Sequence, residues 1–240
     1  MNLESQHVVL LGGSSGIGLA TAHAAAAAGA TVTVVSRRES AVAKALAELP
    51  VGATGHAVDL TDAPAVHTLF ETLGPIDHLV YTAGEPLTLM PFGRLDAERA
   101  RQAFGLRYFA LLTVLPAAVP RLRPGGSITL TSGVAGDRPG PGWAVAAGIC
   151  AAVDALTRAL AVELAPSVRV NAVKPGVVRS PLWDSLPEAD REQLYATVGG
   201  SIPLGRVGEV EEIARTYLYC LSQPFSTGSI ITVDGGSVLS

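Results

Sequence analysis

Cysteine is scarce in this sequence, and its scarcity excludes two kinds of site. The 240-residue chain has two cysteines, Cys150 and Cys220, which are too few for a disulfide framework. It has no Cys-x-x-Cys pair or Cys/His cluster of the kind that binds zinc. The sequence therefore predicts neither a disulfide scaffold nor a metal centre, and two thiols are compatible with a reducing compartment.

Charged residues are also few, at 16% of the chain, and the net charge is slightly acidic at −4. A hydrophobic content of 48%, together with so little charge, excludes a disordered protein. Nucleic-acid binding requires a basic face that contacts phosphates. The acidic balance therefore predicts no nucleic-acid partner.

Long hydrophobic runs are missing as well. Glycine, proline or charge interrupts the apolar stretches before the ~20 residues that a membrane span requires. The first residues lack the basic segment that opens a signal peptide. We therefore expect a cytoplasmic protein with no membrane partner.

What the sequence does contain is an alternation of short β-branched runs with longer helical stretches. Strands separated by helical crossovers indicate βαβ units and a parallel sheet, within a single α/β domain over residues 1–240. A long helix is predicted over Ala97–Leu122, kinked or ended by Pro116 and Pro120. The segment Pro181–Pro203 is predicted to be an irregular insertion and is a candidate lid over a pocket.

A glycine-rich turn joins the first predicted strand to the first helix. It reads Gly12-Gly13-Ser14-Ser15-Gly16-Ile17-Gly18. Such a turn lets the backbone approach a pyrophosphate, and the helix N-terminus supplies free N–H groups with a partial positive charge. An ordinary glycine-rich turn is the alternative, but the flanking strand and helix favour a dinucleotide site.

Further motifs follow in order along the chain. They are Asp59-Leu60-Thr61, Tyr81-Thr82-Ala83-Gly84, Arg169-Val170-Asn171-Ala172-Val173-Lys174-Pro175-Gly176, Val178-Arg179-Ser180-Pro181 and Val233-Asp234-Gly235-Gly236. With the G-x-x-x-G-x-G loop, they make nearly the whole chain resemble the short-chain dehydrogenase/reductase family. The resemblance implies a Rossmann-type, doubly wound parallel sheet in three α/β/α layers. It also implies that Asp59 and Leu60 contact the adenine and that Val178 and Ser180 seat the nicotinamide carboxamide.

The end of the second predicted strand indicates which cofactor binds. An acidic residue there binds the ribose 2′-hydroxyl of NAD, whereas cations accommodate the 2′-phosphate of NADP. This sequence has Ser36-Arg37-Arg38, and two guanidiniums suit a phosphate, although both could be solvated loop residues. We therefore predict NADP(H). The predicted cofactor-binding residues are Gly12, Ser14, Ser15, Gly16, Ile17, Gly18, Ser36, Arg37, Arg38, Asp59, Leu60, Ala83, Gly84, Pro175, Gly176, Val178 and Ser180.

The catalytic tetrad that the resemblance implies, Asn-Ser-Tyr-Lys, has no counterpart here. Its positions fall at Gly105, Gly133, Ala146 and Cys150 respectively. No tyrosine or lysine occurs between Gly133 and Arg169, so no change of register restores Tyr-x-x-x-Lys. Loss of a general acid–base group typically costs 10²–10⁴-fold in rate. The sequence thus predicts an atypical family member and assigns no catalytic residue.

Three residues are candidates for the substrate pocket. Glu85 follows a turn at the carboxyl end of a strand, where open α/β sheets bind ligands, but a solvated loop residue is the alternative. Ser132 precedes the serine position of the family. Trp143 either covers the nicotinamide side or fills the volume that the tyrosine vacated.

Other residues near the emptied positions have equally ordinary alternatives. Cys150 is either a replacement acid or a small inert apolar side chain. Arg107 and Tyr108 lie beside the asparagine position or at a surface or oligomer contact. Lys174 could reach into the site from its loop.

Three functions remain open at this point. The chain is an oxidoreductase with a non-standard proton donor, a non-redox enzyme such as a dehydratase or isomerase, or a non-catalytic NADP(H)-binding sensor or scaffold. The ligand is an unidentified small molecule. A homodimer or homotetramer is expected through the long helices, whose candidate contact residues are Leu106, Phe109, Leu112, Ala152, Leu156, Ala159 and Leu160, although many of these would serve equally well in the core.

Overall fold

A seven-stranded parallel sheet forms the centre of the computed structural model, which describes residues 2–87 and 89–240. The strand order is β3-β2-β1-β4-β5-β6-β9, and every neighbouring pair is parallel. These strands are β1 His7–Leu11, β2 Thr31–Ser36, β3 Thr54–Ala57, β4 Ile76–Tyr81, β5 Leu122–Thr131, β6 Val168–Pro175 and β9 Ile230–Val233. β7 Val178–Arg179 and β8 Gly208–Glu209 form a separate pair.

Helices cover both faces of the sheet. They are α1 Gly16–Ala27, α2 Glu39–Glu48, α3 Ala63–Thr72, α4 Ala97–Phe104, α5 Ala110–Ala118, α6 Ala144–Glu163, α7 Glu188–Ser201 and α8 Val210–Ser222. The order of the strands reverses between β1 and β4, as in a doubly wound sheet. The predicted Rossmann-type fold in three layers is confirmed.

Two apolar clusters hold these layers together, one on each face. On one face, Phe70 of α3 and Leu111 of α5 pack against sheet residues such as Leu79. On the other face, Ala22 of α1 and Tyr217 of α8 pack against residues such as Leu10. The inner strands are buried on both sides, which explains their nearly continuous runs of valine and leucine.

The segment Pro181–Pro203 is not an irregular insertion, and this prediction was wrong. It begins with a short 3₁₀ turn at Pro181–Trp183 and contains the 14-residue helix α7. Glu188 and Asp190 favour the start of α7 because acidic side chains in the first turn complement the helix dipole. Glycines near its end, Gly199 and Gly200, obscured the helical pattern in the sequence.

The long helix predicted over Ala97–Leu122 is interrupted rather than continuous. A π-helical turn, Gly105–Phe109, separates α4 from α5. Pro116 lies within α5 without ending it, and Pro120 lies in the 3₁₀ turn Val119–Arg121 that closes the segment. The break in the regular helix therefore precedes both prolines and starts at a glycine.

Two helical segments, Ala97–Arg121 and Ala144–Glu163, are long and apolar enough to cross a membrane by length and composition alone. Both segments nevertheless contain glycine or proline and charged residues, among them Gly105, Pro116, Gly148 and Asp154, as expected from the sequence. Both segments contribute to the core of the fold, and Leu106, Leu156 and Leu160 pack against it. On their outer faces Phe109, Leu112 and Val162 remain exposed.

Candidate functional site

Two adjoining cavities lie at the carboxyl edge of the sheet, beside the reversal between β1 and β4. The larger is a cleft of about 430 Å³, here called the dinucleotide cleft. The smaller is a cavity of about 150 Å³ with mainly apolar walls, here called the apolar cavity. Ile17, Ala83 and Arg107 are among the residues that line both. A ligand in the cleft would therefore lie against a ligand in the cavity.

The glycine loop forms one wall of the dinucleotide cleft. Gly12 has φ +91°, and a Cβ atom there would lie 2.5 Å from the backbone nitrogen of Ala83. Only glycine fits this close approach of the two turns. Ser15 caps α1 without a side-chain hydrogen bond, so the first N–H groups of α1 remain available to an anion.

The far end of the cleft carries positive charge. Arg37 and Arg38 line it directly after β2. The Ser14 hydroxyl donates to the Ser36 hydroxyl at 2.8 Å, which ties the glycine loop to the end of β2. Hydrogen bonds from the side chain and backbone of Thr61, with a smaller effect of Arg37, hold the pKa of Asp59 below its ordinary value.

All the residues predicted to bind the cofactor lie around the two cavities. Pro175, Gly176 and Val178 line the apolar cavity. The rest line the dinucleotide cleft: Gly12, Ser14, Ser15, Gly16, Ile17, Gly18, Ser36, Arg37, Arg38, Asp59, Leu60, Ala83, Gly84 and Ser180. Three features of this site fit a phosphorylated dinucleotide. They are the close backbone approach at Gly12, which a Cβ atom would fill, the uncapped N-terminus of α1, and the two arginines after β2.

The positions predicted to correspond to the family's serine, tyrosine and lysine converge on the apolar cavity. Gly133, Ala146 and Cys150 all line it. A Cβ atom at Gly133 would lie 3.1 Å from the Cys150 sulfur, so these two positions are in contact. Gly105, the asparagine position, begins the π turn and lines neither cavity.

The surroundings of Cys150 do not favour a role as an acid or nucleophile at neutral pH. Burial raises its pKa to about 11, although Arg107 opposes this shift. Because the thiolate is the reactive form, the thiol at this position is inert at pH 7. The inert alternative for Cys150 is thus the one that its surroundings support.

The three pocket candidates occupy different places. Glu85 is exposed and lines the dinucleotide cleft. Ser132 lines the apolar cavity, but its hydroxyl donates to the Cys150 carbonyl oxygen at 3.2 Å. Trp143 also lines the apolar cavity, and its ring centroid lies 6.3 Å from that of Trp183.

Lys174 does not reach into either cavity. Its ammonium lies 2.6 Å from a carboxylate oxygen of Asp137 and 2.6 Å from one of Asp154. Burial opposes its charge, but hydrogen bonds to both carboxylates raise the pKa of Lys174 above its ordinary value. Lys174 therefore connects the loop after β5 to α6 and has a structural role.

Arg107 lies inside the site rather than on the surface. Its side chain lines both cavities and is half-buried, and its guanidinium donates to the Glu85 carbonyl oxygen. Tyr108, its neighbour, packs instead against Phe104 and Phe109. The alternative role at a surface or oligomer contact therefore does not apply to Arg107.

Comparison with known proteins identifies the family. A family model described as enoyl-(acyl carrier protein) reductase matches residues 12–238. The short-chain dehydrogenase/reductase ATR9 of Stachybotrys chlorohalonatus is 36% identical over 253 residues, which cover 99% of this chain and 98% of that protein. The chain belongs to the short-chain dehydrogenase/reductase family.

Solved structures of this family superimpose closely on the chain. The NADPH-bound short-chain oxidoreductase of Pseudomonas aeruginosa PAO1, described as containing an atypical catalytic centre, has a TM-score of 0.91. It is 32% identical, and the match covers 98% of this chain and 97% of that chain. MalC reductase/Diels-Alderase of Malbranchea aurantiaca has a TM-score of 0.90 at 29% identity, with 99% and 97% covered.

Sequence reasoning gave no individual role to several residues of this short-chain dehydrogenase/reductase site. Trp183 and Leu182 line the apolar cavity from Pro181–Pro203, the segment predicted to be a candidate lid over a pocket. Tyr81 lines it too, and its hydroxyl donates to the Leu106 carbonyl oxygen. Arg107 was one of the candidates beside the asparagine position, and the structure places its side chain in both cavities.

Proposed function

We propose that this short-chain dehydrogenase/reductase binds NADP(H) and lacks the Asn-Ser-Tyr-Lys tetrad of its family. The observation that carries the proposal is the contrast between the two cavities. The dinucleotide cleft keeps its glycine loop and its two arginines, whereas the adjoining cavity has Gly133, Ala146 and Cys150 where the family resemblance predicts a serine, a tyrosine and a lysine.

The residues present fit the nucleotide. The N-terminus of α1 and the glycine loop would hold the pyrophosphate, and Arg37 and Arg38 would hold the 2′-phosphate. Ser180 and Val178 would contact the nicotinamide end, where the two cavities meet. When bound, NADPH supplies a hydride at its nicotinamide ring.

The chain itself supplies no tyrosine hydroxyl free to protonate a reduced carbonyl oxygen from the described walls of the apolar cavity. The Tyr81 hydroxyl donates to a backbone carbonyl, and burial raises its pKa further above its ordinary value. The Cys150 thiol is protonated, but its high pKa makes it a weak acid. Reduction of ordinary carbonyl substrates is therefore expected to be negligible.

Binding and turnover measurements test the proposal. Calorimetry with NADPH and NADH should show tighter binding of NADPH. NADPH oxidation would then be followed against a panel of ketones, quinones and aldehydes, and we expect negligible rates. Equal affinity for the two nucleotides would contradict the cofactor assignment, and robust turnover would contradict the disabled tetrad.

A second candidate function is a non-redox reaction on the same fold, such as a dehydration or isomerisation. It is favoured by the apolar cavity, which offers a mainly apolar space beside the dinucleotide cleft without the usual proton donor. The structural neighbour described as a reductase/Diels-Alderase supports this candidate. A non-catalytic sensor or scaffold is the remaining alternative, and it predicts NADPH binding without any turnover.

We also propose a homodimer or homotetramer in the cytoplasm, with a small molecule as the other ligand. The two long apolar helical segments support the assembly because each has exposed apolar side chains: Phe109 and Leu112 on one, and Val162 on the other. Light scattering that reported a monomer at micromolar concentration would contradict it.

A further inference from the structure

We propose that the ligand of the apolar cavity carries an anionic oxygen, such as a carboxylate, on a flat apolar body, and that Arg107 binds this oxygen. The inference rests on the proposed function, because it concerns the molecule that lies beside the bound nucleotide. It assigns the Arg107 guanidinium as the group that recognises the ligand in a site that has lost its family's polar residues.

The first observation is that Arg107 has no acidic partner within the part of the chain that the structure describes. Its guanidinium lies so close to the Gly84 backbone that a Cβ atom there would be 2.7 Å from its carbon. One N–H group donates to the Glu85 carbonyl oxygen. The Glu85 carboxylate has an electrostatic effect on Arg107 but lies outside ion-pairing contact with it. Glu85 is itself exposed. Among residues 2–87 and 89–240, most of the five N–H donors thus have no acceptor.

The second observation is that most of the surrounding polar side chains already have hydrogen-bond partners. The hydroxyls of Tyr81, Thr131 and Ser132 donate to backbone carbonyl oxygens. The Trp183 indole N–H donates to the Val178 carbonyl oxygen at 3.1 Å. These groups have little capacity left for a ligand, and the guanidinium therefore supplies the strongest donors facing the apolar cavity.

The third observation is that Arg107 lies on a specialised turn whose position is fixed by a hydrogen bond. The π turn Gly105–Phe109 carries it, and π turns occur frequently at functional sites. The Tyr81 hydroxyl holds the turn through the Leu106 carbonyl oxygen, directly beside Arg107 in the chain. Gly84, Gly133, Ala146 and Cys150 are all small, which leaves room for the guanidinium and a ligand.

These observations define the chemistry of the ligand. A cation among apolar walls is costly unless an anion compensates it, and burial indeed lowers the pKa of Arg107 below its ordinary value. A guanidinium pairs best with a carboxylate, through two parallel hydrogen bonds. Trp143 and Trp183, with Leu87 and Leu182, give the rest of the cavity a mainly aromatic and aliphatic surface that suits a flat apolar body.

The test uses trans-cinnamate and its neutral amide, cinnamamide, as matched probes. Both would be titrated by calorimetry into the full chain saturated with NADP⁺. We expect cinnamate to bind at least about tenfold more tightly than cinnamamide, as a charge-assisted hydrogen-bond pair predicts. In Arg107→Gln this preference should disappear. Arg101→Gln, which removes an exposed arginine from the same helical region, should keep it.

The variant Arg107→Lys shows whether an effect of Arg107→Gln comes from the lost positive charge or from a damaged fold. It keeps the cation but not the fork of donors, so it should retain part of the preference. Thermal unfolding of each variant would accompany the titrations.

Equal binding of the two probes to the unmodified protein, or no binding of cinnamate at millimolar concentration, would overturn the proposal. It would also be overturned if Arg107→Gln weakened NADP⁺ binding tenfold and left the probe preference intact, because the guanidinium would then serve the phosphates of the cofactor. Failure of the unmodified protein to bind NADPH is a separate result, and it contradicts the proposed function instead.

Discussion

The Lys174 ammonium lies 2.6 Å from Oδ2 of Asp154, and only 5% of the lysine side chain and 8% of the aspartate side chain are exposed. Oδ1 of Asp154 has no hydrogen-bond partner among the described residues. Lys174 therefore provides the main compensation for this buried carboxylate. Asp137, half exposed, contacts the same ammonium from the loop after β5.

Removal of this lysine should destabilise the fold strongly. In Lys174→Met the Asp154 carboxylate remains buried without a partner, and breaking one side of a buried pair typically costs about 3–5 kcal/mol. Urea unfolding would measure the loss. The double variant Lys174→Met/Asp154→Leu should be more stable than the single variant, because no buried charge remains. A single variant as stable as the unmodified protein would contradict this account.

The cofactor preference should depend on Arg37 and Arg38. Their replacement by alanine together should lower NADPH affinity about ten- to hundredfold, since a charged hydrogen-bond pair contributes ~1.5–3 kcal/mol. NADH has no 2′-phosphate, so its affinity should change little. Calorimetry would compare this variant with Arg99→Ala/Arg101→Ala, which removes two exposed arginines of α4. An equal loss of affinity for NADPH and for NADH would show that the two arginines do not bind the 2′-phosphate.

Restoration of the missing side chains should raise the reductase rate. We expect Gly133→Ser/Ala146→Tyr/Cys150→Lys to reduce family ketones about 10²–10⁴-fold faster than the unmodified protein, the usual contribution of a positioned acid. Replacement of Cys150 also removes the sulfur that a serine Cβ atom at residue 133 would approach.

The matched control for that experiment is Gly133→Ser/Ala146→Phe/Cys150→Lys, which has the same volume without the hydroxyl. Its rate should stay low. Similar rates for the tyrosine and phenylalanine variants, with NADPH bound by both, would show that the lost hydroxyl is not what limits turnover. Trp143 is the main steric obstacle, because it already occupies part of the cavity.

Assembly should depend on the exposed apolar face of α5 and its preceding turn. Phe109 is 53% exposed and Leu112 is 48% exposed. Phe109→Glu/Leu112→Glu should convert a dimer or tetramer to smaller species, because two carboxylates would be buried at the contact. Light scattering after gel filtration would measure the mass. Phe92→Glu, at an exposed phenylalanine before α4, is the control and should leave the assembly unchanged.

Acid should weaken the fold through His78. Burial, with a smaller effect of Arg169, lowers its pKa from the ordinary 6.5 to about 4. Its ring nitrogens contact the Ser127 hydroxyl and the Gln6 side-chain oxygen, both at 2.8 Å. The unfolded chain then binds a proton more readily than the folded chain does. The stability that a neutral His78 contributes is therefore complete above pH 6.5 and is lost as the pH falls towards 4.

The loss amounts to about 3 kcal/mol over that interval. Urea unfolding at a series of pH values would measure it. His78→Gln should flatten the dependence between pH 6.5 and 4, whereas His67→Gln, at an exposed position of α3, should not. An unchanged slope in His78→Gln would assign the acid sensitivity to other groups.

The sequence predicted the fold well because its signals are local. The alternation of strands and helices and the turn at Gly12 each depend on a few neighbouring residues. The proposal that Gly133, Ala146 and Cys150 replace the family's catalytic residues also depends on a local signal, since no tyrosine or lysine occurs between residues 133 and 169. The residues predicted to bind the cofactor, all of which line the two cavities, followed from these motifs.

The places where sequence reasoning failed depend on contacts between distant segments. Arg107 lies in a π turn that the sequence did not predict, and the hydroxyl of Tyr81, 25 residues before Leu106, donates to the Leu106 carbonyl oxygen in that turn. Lys174 turns away from the site because Asp137 and Asp154 meet it from two other elements. Neither arrangement leaves a periodic pattern in the sequence. The helix α7 was not predicted because it contains Gly199 and Gly200, which are unfavourable in helices.

The π turn also determines where the helix containing it can change in length. A π turn holds one residue more than an α-helical turn, so Gly105–Phe109 accommodates an extra residue between α4 and α5. Deletion of a single residue between 105 and 109 would convert the turn to a regular α-helical one and keep Leu111 and Val114 against the sheet. The change would fall on the side chain of Arg107 rather than on the core. The extra residue in this turn therefore belongs to the site and is not required by the packing of the helix.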